Sequence, residues 1–199
     1  MKKFRSLTLA LAALMLMGSL TGCGIVKVID KGTEAQYTGE TAFDAGAEAA
    51  GDWGLVAEEI TGNAVDLASA DTSGAVAVSF TGTVTEYVNK GNGAKCSLIL
   101  EVDGVDSSVT LQVGPNYSGT TVRDCQTLKE FGSFTNQTEW SEYAKTLNAE
   151  VQTNVVDPLG DMTDESVGNG MVGSTLQVVG CAITDGDTIT VTPVSVTAQ

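Results

Sequence analysis

Three runs of alternating polarity, one long amphipathic stripe and two further alternating runs, in that order, predict an α+β fold. The expected architecture is a five-stranded OB-like β-barrel, in the order β-β-β-α-β-β, preceded by an N-terminal helix. Richness in threonine, valine and glycine suits short strands that close on themselves. Another α+β roll with the same elements paired differently is the alternative topology.

The first 22 residues are set apart from that fold. "MKKFR" is basic, "LTLALAALMLM" is an apolar run too short for a comfortable membrane span, and Leu20, Thr21 and Gly22 precede Cys23. The pattern resembles a bacterial lipobox. It implies a signal peptide cleaved before Cys23, diacylation of the Cys23 sulfur and acylation of the new amino group, with palmitate as the expected kind of acyl chain. More than one chain gives lasting attachment where a single chain is marginal. An ordinary secretory signal with an incidental Cys23 is the alternative. The expected organisation is a signal peptide at 1–22, a lipid-anchored tether at 23–42 and a single domain at 43–199, with a helix at 43–70 and the barrel at 75–199.

Removing residues 1–22 takes away Lys2, Lys3 and Arg5, so seven basic residues face 25 acidic ones and the net charge becomes −18. Such a surface repels phosphate backbones, which argues against a nucleic-acid partner. It also opposes docking on anionic lipid, so the acyl anchor has to supply the membrane attachment. The chain contains no histidine, which removes Ser-His-Asp and Cys-His catalysis and the commonest transition-metal ligand. Neither a cofactor nor a metal is expected. Besides Cys23 there are three cysteines, Cys96, Cys125 and Cys181, all read as structural, with a single disulfide left open.

Along the domain, residues 43–70 repeat apolar side chains near helical spacing: Ala49 or Ala50, Trp53, Val56 or Ala57, Ile60, Ala64 and Leu67. Gly51, Gly54 and Gly62 weaken that helix. In "AVAVSFTGTVTEYV", Val76, Val78, Phe80, Gly82 and Val84 share one face, and Gly82 suggests a bulge or sharp coil. "NKGNG" turns the chain into "CSLILEV", and "DG" turns it again into "SVTLQVG", with Val109, Leu111 and Val113 inward and Thr110 and Gln112 outward. The stripe Trp140, Tyr143, Ala144, Leu147, Val151, Val155 marks the long helix. Asn136 caps it, Glu139 completes a capping box, and Pro158 ends it. The last strands are "STLQVVGCAI" and "TITVTPVSV", where a bulge or edge position accounts for the phase slip at Pro193.

"GCGIVKVID", the helix ending "AVDLASA", "GPNYSGTTVRD", "FGSFTNQTEWSEYAKTLNAEV" and "ITVTPVSV" together resemble a family of predicted periplasmic lipoproteins, domain of unknown function 2291. The resemblance covers nearly the whole chain after Cys23. Its most specific parts are Gly114-Pro115, Gly119-Thr120, Arg123-Asp124 and Phe134 to Gln137. The glycine-interrupted first helix departs from it. The family has no established activity. Its genes often lie beside those of sugar-type ABC importers, which implies an accessory role in uptake.

The candidate site is the joint "GPNYSGTTVRD". Gly114 and Pro115 end a strand, Gly119 relaxes the backbone, and Thr120 or Thr121 caps a short helix carrying Arg123 and Asp124. Two readings stand. Free amides and a planar guanidinium can hold a carboxylate or phosphate. Alternatively, Arg123 is partly buried and locks loop and helix to the barrel, through an acidic partner from another segment rather than Asp124, because adjacent helical side chains diverge. In "FTNQT", Phe134, Asn136 and Gln137 allow either hydrogen bonding to sugar hydroxyls, with Trp140 or Tyr143 as a stacking face, or a plain cap over a core. "DMTDE" and "TDGD" lack calcium-loop spacing and read as solvated turns. "NKGNGAK" and "TDGD", the usual OB binding loops, lack the aromatic and basic groups that strand binding needs. No carboxylate pair stands out for glycoside hydrolysis. The expected function is a non-catalytic, membrane-anchored extracytoplasmic accessory or binding component of a solute importer. A structural or envelope-interaction module without a small-molecule ligand is the alternative.

Overall fold

In the computed structural model, which describes residues 44–199, the first helix begins where a carboxylate caps it. Asp44 Oδ1 accepts the amides of Gly46 and Ala47, both at 3.0 Å, and α1 runs Ala45–Asn63. It buries Ala49, Val56 and Ile60, so the expected stripe is present. The helix is shorter than the 43–70 expected. Ala64 turns extended, Val65 and Asp66 form a short strand β1 parallel to Val78 and Ser79 of β2 (Val76–Lys90), and Asp66 caps a 3₁₀ turn over Leu67–Ser69. Sheet hydrogen bonds to the barrel thus displace a helical turn that periodicity alone favours. Within α1, Gly51 and Gly54 are exposed and a Cβ at either would meet open space. Gly51→Ala and Gly54→Ala should each stabilise the protein by about 0.5–1 kcal/mol, read as a raised urea midpoint with unchanged slope.

Five strands close the barrel: β2 (Val76–Lys90), β3 (Lys95–Val102), β4 (Ser108–Pro115), β5 (Thr175–Asp185) and β6 (Thr188–Ala198). β2 pairs antiparallel with both β5 and β3, β3 with β4, and β5 with β6. The barrel shuts where β4 meets β6 in parallel, from Ser108 opposite Thr188 to Leu111 opposite Val191. β2 serves two neighbours because it coils: Gly82 and Thr83 pair with β3 and β5 at once. The expected bulge lies past that point, between Val84 and Glu86, while Gly82 marks close approach, with Val102 Cγ2 only 3.0 Å from where a Cβ would sit. The phase slip at Pro193 is a bulge: Val179 opposes Ser195 and Gly180 opposes Pro193, leaving Val194 extra. A Cβ on Gly180 would lie 2.6 Å from the Thr192 carbonyl oxygen, so the bulge requires a glycine there.

Between β4 and β5 come α2 (Thr121–Cys125), a 3₁₀ turn at Phe131–Ser133, α3 (Gln137–Val151) and α4 (Glu165–Gly170). α3 buries Tyr143, Ala144, Leu147 and Val151, and packs against α1. Pro158 does not end this helix. The chain runs on through a π turn at Gln152–Val156 into a 3₁₀ turn at Asp157–Leu159, where Pro158 occupies a first-turn position that needs no amide, and it stops at Gly160 with φ +120°. The expected turn at "DMTDE" is present, with Asp161, Asp164 and Glu165 exposed, and α4 starts from its last residue. The Asp161 and Asp164 carboxylates of "DMTDE" accept from Thr163 and Ser166, and Asp164 caps α4. Gly168 of α4 lies under the Tyr87 ring, whose hydroxyl donates to the Met162 carbonyl and sits 3.3 Å from the Cys96 sulfur.

Candidate functional site

β4 delivers the chain to the joint. Gln112, expected on the outer face, is buried, because the following loop folds back over it. Its amide donates to the Ser118 carbonyl (3.2 Å) and the Thr192 hydroxyl (2.8 Å), and its oxygen accepts the Ser118 amide (2.6 Å). Period-two alternation places a polar side chain outward only when nothing covers that face. Gly114 takes φ +75°, and a cis peptide joins it to Pro115, the last residue of β4. Tyr117 then donates to Gln152 Oε1 (3.0 Å), and Gln152 donates to Asp157 (2.6 Å). Asn148 of α3 donates to the Gly119 carbonyl (3.2 Å).

Thr120 stands at the start of α2, but its hydroxyl makes no cap bond; it donates to Asp124 Oδ2 instead. Arg123 finds its partner in Asp124 itself, against expectation. Nε and Nη2 reach the same Asp124 oxygen at 2.8 and 2.6 Å. The long arginine side chain curls back to its neighbour, and Thr120 holds the second carboxylate oxygen. The guanidinium carbon also lies 4.3 Å from the Trp140 ring centroid, and Nη1 donates to the Trp140 carbonyl at 3.4 Å. The Arg123 side chain is 12% exposed while Asp124 is 40% exposed, so the cation faces inward under a solvated carboxylate. The guanidinium thus clamps α2 to α3, and its fork is occupied.

Trp140 belongs to an aromatic cluster. Its ring is 5.0 Å from Phe134, 6.3 Å and nearly perpendicular to Phe131, and stacked at 6.4 Å on Tyr143. Phe134 also meets Tyr143 at 5.2 Å. Tyr143 is fully buried and donates to Asp52 of α1 (2.9 Å). The "FTNQT" segment is the cap over this cluster. Asn136 Oδ1 accepts the Glu139 amide (3.0 Å), and Glu139 reaches back to the amide of Thr135 (2.8 Å), one residue earlier than a standard capping box. Gln137 is exposed at the first position of α3. Asn136→Ala should lower stability by about 1 kcal/mol, measured by urea denaturation.

Sequence reasoning missed the connector from α2 to α3. Thr127 donates through amide and hydroxyl to Glu59, and Lys129 reaches Glu48 (2.8 Å) and Asp52 (3.5 Å), so the connector is anchored along α1. Leu128 and Phe131 remain exposed, as does Leu55 of α1, set among Asp52 and Glu59 at helical spacing. "TLKEF" has no periodicity to mark it, and only its carboxylate partners, far off in sequence, reveal its place. The Glu48 hydrogen bond raises the Lys129 pKa.

Burial raises the phenol pKa of Tyr87, Tyr117 and Tyr143 well beyond the usual tyrosine value, with nearby Cys96, Asp157 and Asp52 adding to it in turn. The native state therefore holds these protons more tightly than the unfolded chain does. Stability is full below about pH 10, where free tyrosine titrates, and falls as pH rises beyond it. An alkaline titration should show phenolate absorbance rising together with loss of circular dichroism.

Among the described residues no group of three or more cysteine, aspartate or glutamate side chains is arranged to hold a metal ion, and no helix is long and apolar enough to cross a membrane. Cys23 and the tether lie outside the described residues. A family model described as a predicted periplasmic lipoprotein (DUF2291) matches residues 68–197. A solved OB-fold protein from Thermotoga maritima superimposes with a TM-score of 0.53 at 15% identity, covering 79% of this chain and 99% of the other. That likeness agrees with the five-stranded closure described above. No curated protein matches the chain.

Proposed function

Because the chain belongs to the family of predicted periplasmic lipoproteins, we propose that it is a non-catalytic accessory protein, anchored through Cys23, that docks on a protein component of an ABC-type solute importer. The observation that carries this reading is the contrast between the joint and the connector. At the joint, Arg123, Asp124, Gln112 and Tyr117 all engage partners within the chain. The connector instead presents Phe131, 54% exposed, with Leu128, on a segment held in place by Glu59, Glu48 and Asp52. Apolar and aromatic side chains on a pre-ordered segment bury area against a protein at little ordering cost. The importer as partner follows from the gene association that the sequence resemblance implies, and an anchored domain remains within reach of a permease.

The test is co-purification of the full-length lipoprotein from its own membranes in mild detergent. An importer component should be recovered with the wild type and lost with Leu128→Ser/Phe131→Ser. Repeated failure to recover any importer component with the wild type would count against the reading. A reproducible thermal shift with sugars or small carboxylates would turn it towards solute binding.

A further inference from the structure

The face formed by α1 and the α2–α3 connector is shaped by bonds within the chain. Gln126, a buried side chain, donates to the Arg123 and Lys129 carbonyls at 3.0 and 2.7 Å, and its oxygen accepts the Lys129 amide at 2.8 Å. The connector is thus pinned internally as well as to α1. Leu128 lies between Thr127 and Lys129, which bind Glu59 and Asp52, the residues flanking Leu55 at helical spacing. Phe131 follows, braced edge-on against Trp140 at 6.3 Å. Three of the five large apolar side chains exposed among the described residues, Leu55, Leu128 and Phe131, therefore gather on one ordered face.

The charge around that face decides what can cover it. α1 carries Glu48, Asp52, Glu58 and Glu59 and neither lysine nor arginine, and the connector adds Glu130. The connector's one cation, Lys129, is already taken by Glu48 and Asp52. Glu58, one turn from Leu55, and Glu130, next to Phe131, are exposed. A second copy of the chain would set these carboxylates against themselves, and anionic headgroups are repelled in the same way. We propose that this face receives a protein surface whose apolar pocket is ringed by lysine or arginine. The proposal rests on the docking reading above and adds the chemistry of the partner. Leu55, Leu128 and Phe131 supply the desolvated centre, with Phe131 as the anchor. Glu58 and Glu130 sit at the rim, where charge speeds encounter and rejects acidic surfaces.

The probe is an immobilised helical peptide with a leucine stripe flanked by lysines, presented to the full-length lipoprotein in uncharged detergent. It should bind, and the same peptide with glutamate for lysine should not. Raising NaCl from ~50 to ~500 mM should weaken binding by roughly tenfold, mainly by slowing association. Leu128→Ser/Phe131→Ser and Glu58→Lys/Glu130→Lys, each checked for a normal melt, should also lose roughly tenfold. Asp185→Lys/Asp187→Lys, the same charge change at the exposed β5–β6 turn, should leave binding within about twofold. Equal loss from both charge reversals would overturn the proposal, because net charge alone would then explain binding. So would a dimer, or binding to anionic vesicles, that Leu128→Ser/Phe131→Ser abolishes. Peptide binding at this face with no importer recovered would sink the importer and keep the proposal. Importer recovery that survives Glu58→Lys/Glu130→Lys would do the reverse.

Discussion

Gly114→Ala is expected to destabilise the protein by about 3–5 kcal/mol, the largest effect of any single methyl group added near the joint. Gly114 has φ +75°, where a side chain costs roughly 1–2 kcal/mol. The new Cβ would also stand 1.7 Å from Gln152 Oε1, and Tyr117 Oη is 3.1 Å away. Gln152 has to leave, and with it go its bonds to Tyr117 and Asp157, each worth about 0.5–1.5 kcal/mol. Urea denaturation should show a lower midpoint with unchanged slope. The double variant Gly114→Ala/Gln152→Ala should lose less than the two singles added together. Strict additivity would mean that the clash lies elsewhere.

Arg123→Ala follows, with an expected loss of about 2–3 kcal/mol. Most comes from the cation over Trp140 and from the buried methylenes of the side chain. The Asp124 ion pair adds little, since that carboxylate is 40% exposed and water screens it. Arg123→Lys should recover only part of the loss, because an ammonium cannot stack on the indole while engaging Asp124 through two nitrogens. Denaturation followed by tryptophan fluorescence measures both. An Arg123→Ala variant that melts like wild type yet loses a ligand or protein that the wild type binds would instead make Arg123 a contact residue.

The strands were legible because apolar residues recur every second position along them, at Val76, Val78, Phe80 and Val84 around Gly82, and at Val109, Leu111 and Val113. The long helix was legible for the matching reason at helical spacing. Gln112 was misplaced because a covering loop changes which face is dry, and no local pattern records that. The pairing of Arg123 with Asp124 was misjudged because side-chain direction at the backbone was weighed alone, whereas the long arginine chain curls back over a carboxylate that Thr120 holds in place. Helix α1 ran shorter than its periodicity, since Val65 and Asp66 gain strand bonds from β2.

The sequence by itself carried the barrel order, the resemblance of the stretch before Cys23 to a lipobox and the lack of any histidine, because spacing, composition and a short motif are local properties. Tertiary structure decided that Arg123 faces inward, that Gln112 is covered by the loop after β4, and that the α2–α3 connector lies anchored along α1 with Phe131 exposed. Each of these joins residues whose adjacency depends on how the closed barrel and its helices pack. Contacts between distant segments leave no period in the chain that makes them.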